Sequence, residues 1–160
     1  EKNETSSSAT DNTTTSTDNT TTAVEVEVWS EQKLTFTKTD LSDWNDPVNQ
    51  DRISEKVTIT RKNTKGIFNI AQESEYGGDS PKDTEWAYGS ATDWQSLSFS
   101  DWKGWHGANP KSSIGKNAVL HLISENIYLD IKFLSYSGGG EAGGFSYIRA
   151  TAKSNANKAE

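Results

Sequence analysis

In the stretch "AVEVEVW", Ala23 to Trp29, Val24, Val26 and Val28 alternate with Glu25 and Glu27, and a period of two dominates from there onward. A strand turns successive side chains to opposite faces, so this period suits a half-buried sheet. An amphipathic helix would repeat its apolar residues every three to four positions instead. "KLTFTKT" continues the alternation with Leu34 and Phe36. "VTITR" (57–61) and "GIFNIAQ" (66–72) flank Lys62 to Lys65 as a hairpin connection. "TEWAY", "SLSFS" and "AVLHLIS" follow, each bounded by Gly, Pro, Asn or Asp. "NIYLDIKFLSY" pairs with "AVLHLIS" through a turn at Ser124, Glu125 and Asn126, and presents Ile127, Leu129, Ile131 and Phe133 on one face. Tyr128, Asp130 and Lys132 take the outward face, and a glycine-rich loop, "SGGGEAGG", leads into "FSYIRAT". About nine short strands and no amphipathic helix predict an all-β fold. The expected form is an antiparallel β-sandwich of jelly-roll or immunoglobulin-like outline, with a barrel as the alternative.

Residues 1–22 are rich in Thr and Ser and almost free of apolar side chains. Such a segment cannot bury enough surface to offset its ordering entropy, so it is expected to be a flexible stalk or linker. Residues 23–151 then form the sandwich domain and residues 152–160 a flexible C-terminal end. Hydrophobic residues are only 31% of the chain, but the leader accounts for the shortfall and the body holds enough for an ordinary core. Asn3, Asn12 and Asn19 each begin an Asn-x-Thr pattern, which a tract this rich in Asn and Thr produces by chance.

Charge and missing residue types narrow the function. A net charge of −7 disfavours nucleic acid and anionic membrane surfaces as partners, since both need a basic stripe. With no cysteine there is no disulfide framework, thiolate metal site or thiol nucleophile. No apolar run is long enough to span a membrane, and the absence of Met points to a processed N terminus. A secreted or cell-surface location is expected.

"WNDPVNQDRISEKVTITRKNTKGIFNIAQE", "SPKDTEWAYG", "VLHLISENIYLDIKF" and "GGFSYIR" together give the chain a familiar look. From about Leu34 to Thr151 it resembles an uncharacterised β-rich domain that recurs in secreted and cell-surface bacterial proteins. The resemblance implies an extracellular β module, often attached to longer surface proteins. It transfers no catalytic residue.

Two constellations are candidate sites. In "DWNDPVNQDR", Asp46, Asn49 and Asp51, with Asp43 beside them, offer oxygens suited to a structural calcium ion, and Glu73, Glu75, Asp79, Asp83 and Glu85 could complete a shell. The competing reading makes Asp46 and Asn49 Asx-turn residues and pairs Asp51 and Arg52 with neighbours. The second constellation is "DWKGWHGANP", in the loop-rich stretch 89–117. Trp94, Trp102 and Trp105 could stack on sugar rings, while Asp101, His106 and Asn109, with Asp93 and Gln95, bind hydroxyls. The competing reading is an aromatic cluster closing one end of the sandwich, with at least one of Trp102 and Trp105 buried. Trp86 belongs in the core, and His121 is a hydrogen-bonded strand residue. No metal-binding histidine pair, P-loop, Rossmann or nucleophile-elbow pattern is present.

A non-catalytic recognition module that binds a glycan or other cell-surface ligand through its Trp-bearing loops is the leading expectation. The alternative is a surface or filament subunit in which residues 23–29 add a strand to a neighbour's open sheet edge. A small polysaccharide-active enzyme, using a pair among Glu73, Glu85, Asp101 and Asp130, ranks third.

Overall fold

Eight of the period-two segments become strands, and a ninth forms at Asp51–Arg52: β1 Glu27–Trp29, β2 Lys33–Lys38, β3 Asp51–Arg52, β4 Thr58–Arg61, β5 Ile67–Asn69, β6 Thr84–Tyr88, β7 Ala118–Leu122, β8 Ile127–Tyr136 and β9 Phe145–Ala150. The computed structural model describes residues 23–138, 140 and 142–153. The Ser/Thr-rich leader with its three Asn-x-Thr patterns, and residues 154–160 of the expected C-terminal end, lie outside the described residues. No helix among the described residues is long and apolar enough to cross a membrane.

The chain folds as an unequal sandwich. The large sheet has the order β2-β9-β8-β7-β6, antiparallel throughout, and β1 joins it parallel to β8. The small sheet is the antiparallel set β3-β4-β5. Strand β8 organises the large sheet because its ten residues serve three neighbours. Its first half lies between β7 and β1, and its second half lies along β9, with a register shift between Phe133 and Ser135. The β7–β8 turn holds Asn126 at φ 54, a left-handed conformation that asparagine tolerates better than most residues.

Alternation along β8 sorts its side chains as expected. Ile127, Leu129, Ile131 and Phe133 meet Leu120, Leu122 and Trp86 of the large sheet and Val57, Ile59 and Ile67 of the small-sheet layer. Fully burying an aliphatic or aromatic side chain stabilises the fold by about 1.5–3 kcal/mol, against ~0–1 kcal/mol for an exposed pair such as Lys33–Asp130. The apolar layer therefore sets the architecture. The opposite face of the large sheet is covered as well: Val119 and Tyr128 are buried under Ala91, with Val28, Trp94, Leu97 and Phe99 packed against them. Tyr128, expected to face outward, is thus inside a second, smaller core.

Three strand expectations change. Val24 and Val26 are exposed, at 57% and 42%, because β1 has a ladder of only three residues and both valines stand beyond its end. "SLSFS" forms no strand. Ala91–Ser96 turns as a 3-10 helix, Ser100 makes one bridge to Trp86, and Leu97 and Phe99 lie over the sheet face instead of pairing along its edge. "GIFNIAQ" stops at Asn69, whose side chain replaces the ladder. Its amide donates to the Lys56 and Lys82 carbonyls, and its Oδ1 accepts from the Thr58 and Ala71 amides.

The glycine-rich loop closes on the chain itself. Gly143 has φ +79, and a Cβ there would stand 2.1 Å from the Lys62 carbonyl oxygen. Only glycine lets this loop lie against the β4–β5 hairpin.

Candidate functional site

Asp101 starts the local structure of "DWKGWHG". Its carboxylate accepts from the Gly104 amide at 2.6 Å and caps a single helical turn, α1, Trp102–Trp105. That turn points both indoles inward, leaving Trp102 2% and Trp105 7% exposed. Trp105 stacks on Tyr88 at 4.8 Å and packs on Trp86 at 5.4 Å. It supports the core and offers no open face to a ligand. Trp94 stacks on Tyr128 at 4.5 Å, on the other face of the large sheet. The single platform expected from Trp94, Trp102 and Trp105 is therefore split by the sheet.

A cleft of about 350 Å³ remains between the β4–β5 hairpin and the segment that runs from α1 to Lys111. Trp102, His106 and Asn109 line it. Tyr76 and Tyr136 add aromatic walls, with Tyr76 edge-on to Trp102 at 6.2 Å and Tyr136 tilted against it at 6.0 Å. Gly66 allows this closure, since a Cβ there would lie 2.5 Å from the Tyr76 ring and 2.7 Å from Trp102.

The charge of the cleft opposes that of the chain. Arg61, Lys65, Lys103 and Lys111 line it, and among the described residues no Asp or Glu does. Arg61 is fully buried at the end of β4. Its Nε donates to the Lys65 carbonyl at 2.6 Å, its Nη1 donates to the Gly144 carbonyl at 2.9 Å, and the group lies 3.9 Å over the Tyr136 ring. Burial lowers its pKa, yet a guanidinium stays charged in proteins. Burial pushes Tyr136 up to about 12, with Arg61 working in the opposite direction.

Several buried polar atoms here lack partners among the described residues: Arg61 Nη2, Trp102 Nε1 and both ring nitrogens of His106. Folded proteins rarely leave such groups unpaired, and a ligand is one reason to do so. Burial holds His106 below the usual imidazole range, so the ring is neutral near neutral pH.

The proposed calcium ligands do not converge. Asp46 caps the turn Pro47–Asn49 by accepting from the Val48 amide at 3.1 Å, and the Asn49 amide donates to the Asp43 carbonyl at 2.8 Å. Asp51 is buried and gives both oxygens to Arg149, with the Tyr147 hydroxyl as a third donor. Its partner is Arg149 across the sandwich and not the adjacent Arg52. Glu73 is spent on the Asn69 and Lys82 amides and the Ser80 hydroxyl, and Asp83 on Gln72 and Ser124. Among the described residues, no three Asp, Glu or His side chains are grouped to hold a cation.

Other acidic candidates are likewise engaged. Glu85 meets His121 Nδ1 at 2.7 Å, and that ring also contacts Asn126 at 3.2 Å and stacks on Tyr128 at 3.9 Å. Asp130 accepts from the Ala91 amide at 2.7 Å and from Lys33 at 3.4 Å. None of Glu73, Glu85, Asp101 and Asp130 lines the cleft.

No protein-family model matches this chain. Neither a curated protein nor a solved structure matches it. The likeness to a bacterial surface domain therefore rests on the quoted motifs alone.

Sequence reasoning missed Arg61, Lys65, Tyr76, Tyr136, Lys103 and Lys111, which the fold brings together from four separate segments. One signal was available. Arg61 falls on the same alternating face as Val57 and Ile59, so a charge was being placed toward the interior.

Proposed function

We propose that this protein is a non-catalytic extracellular recognition module that takes a glycan in the cleft between the β4–β5 hairpin and α1. The observation that carries the reading is a cleft with aromatic walls and buried polar atoms that have no partner among the described residues. A sugar ring has an apolar C–H face for Tyr76 and Tyr136 and hydroxyls for the Asn109 amide, while the His106 nitrogens and the Trp102 indole N–H, closed to solvent in this structure, meet it only after the cleft wall shifts. Its volume falls at the small end of ligand pockets, which suits a short saccharide or a chain end. The Ser/Thr-rich leader accords with a domain held out from a cell surface.

Calorimetric titration against a panel of oligosaccharides tests this. Saturable binding that Asn109→Ala and Tyr76→Ala weaken supports it; no saturable response to any member of the panel overturns it. In the structural-subunit alternative, residues 23–29 would complete a neighbour's sheet. Residues 27–29 already occupy their own β8, so such assembly would first have to release them.

A further inference from the structure

We propose that the cleft's ligand carries an anionic group, a carboxylate or sulfate ester on a sugar, and that the buried Arg61 guanidinium receives it. The sugar rests on the reading above; the charge rests on separate observations.

Arg61 is a fully buried cation whose contacts among the described residues are neutral. Two backbone carbonyls and one aromatic ring hold it, and among the described residues no carboxylate oxygen lies within 4.0 Å of it. Asp40 is the acidic group that acts on it at longer range, and the Oδ1 of Asp40 is taken by the Ser137 hydroxyl and the Gly144 amide. A buried charge without a counter-charge is costly, and an incoming anion removes that cost. Nη2 is the nitrogen of the fork with no partner among the described residues, and its two N–H groups are unspent. Those donors suit an oxygen of a carboxylate or sulfate ester.

The surroundings reinforce this. Lys65, Lys103 and Lys111 are exposed residues of the same cleft, in a chain whose net charge is −7. Four cations, with no lining carboxylate among the described residues, make a local positive field on an otherwise acidic molecule. Such a field draws an anion in and turns cations away. The three lysines can reach the remaining oxygens of the anion, while neutral His106 is left for a hydroxyl.

The test is calorimetric titration of the full chain with four probes: an oligogalacturonate, its fully methyl-esterified neutral form, a sulfated carrageenan oligosaccharide, and sodium sulfate. One of the two anionic saccharides should bind about tenfold or more tighter than the neutral form, and added salt should weaken it. Lys103→Ala with Lys111→Ala, both at exposed positions, should reduce that affinity about tenfold without moving the thermal midpoint. Arg61→Gln should abolish binding; if that variant fails to fold, the lysine pair still decides. Equal binding of the neutral and anionic forms, unaffected by the lysine changes, overturns the charge inference and leaves glycan recognition standing. Sulfate binding as tightly as the sulfated saccharide supports the anion site and overturns the glycan reading. No binding by any probe overturns both.

Discussion

The Asp51 carboxylate on β3 and the Arg149 guanidinium on β9 form a two-point ion pair, at 2.6 and 2.8 Å, that joins the small sheet to the large one. The Tyr147 hydroxyl donates to the same carboxylate, and burial, with Asp51 alongside, pushes that phenol well above its ordinary range. Burial alone would lower Arg149, but the hydrogen bonds and charge of Asp51 more than offset it and leave the guanidinium raised. Asp51→Ala strands a buried cation and should cost about 3–5 kcal/mol in chemical denaturation. Asp51→Leu with Arg149→Met, which removes both charges, should recover most of that loss.

Gly143→Ala should destabilise the domain by about 1–3 kcal/mol, because a methyl group would meet the Lys62 carbonyl in a left-handed backbone. Gly107 is the control. It has φ +63 with open space around it, so Gly107→Ala should cost the backbone preference alone, about 1–2 kcal/mol, and less than Gly143→Ala. Thermal melts of the two variants side by side separate the contact from the backbone preference.

Trp105→Ala should lose about 3–5 kcal/mol of stability, as expected when an indole packed between Trp86, Tyr88 and Phe133 is removed. Trp94→Ala, at a half-buried site on the opposite face, should lose less. Equal losses in urea titrations would contradict this division of the two indoles.

His106 should make stability depend on pH in one direction. Burial lowers its folded pKa below the unfolded value of about 6.5, so the unfolded chain binds the proton more readily. The stability it contributes is present above about pH 6.5 and is lost as pH falls toward the folded pKa. Between roughly pH 7.5 and 5.5 the thermal midpoint of the native chain should drop further than that of His106→Phe.

Much of the layered architecture was legible because strand side chains alternate. The row Ile127, Leu129, Ile131 and Phe133 needed no knowledge of its neighbours to be assigned to the core. "SLSFS" failed for the same reason that made it attractive: Leu97 and Phe99 have the right spacing for a strand, but a covering loop with two apolar anchors shows the same spacing. The site was half legible. Trp102, His106 and Asn109 do share a cleft, while Trp94 and Trp105 were grouped with them only by being close in the chain.

Periodicity, composition and turn residues, all local properties, settled by themselves that this chain is a β protein with an acidic surface and a polar leader. Which strands become neighbours, which face of the large sheet each indole takes, and that Arg61 stands among three lysines beside Tyr136 were decided only in three dimensions. The reason is that pairing and burial join residues far apart in sequence, as Asp51 meets Arg149 and Gly143 meets Lys62. Alternation sets which way a side chain points, but it does not say what stands opposite.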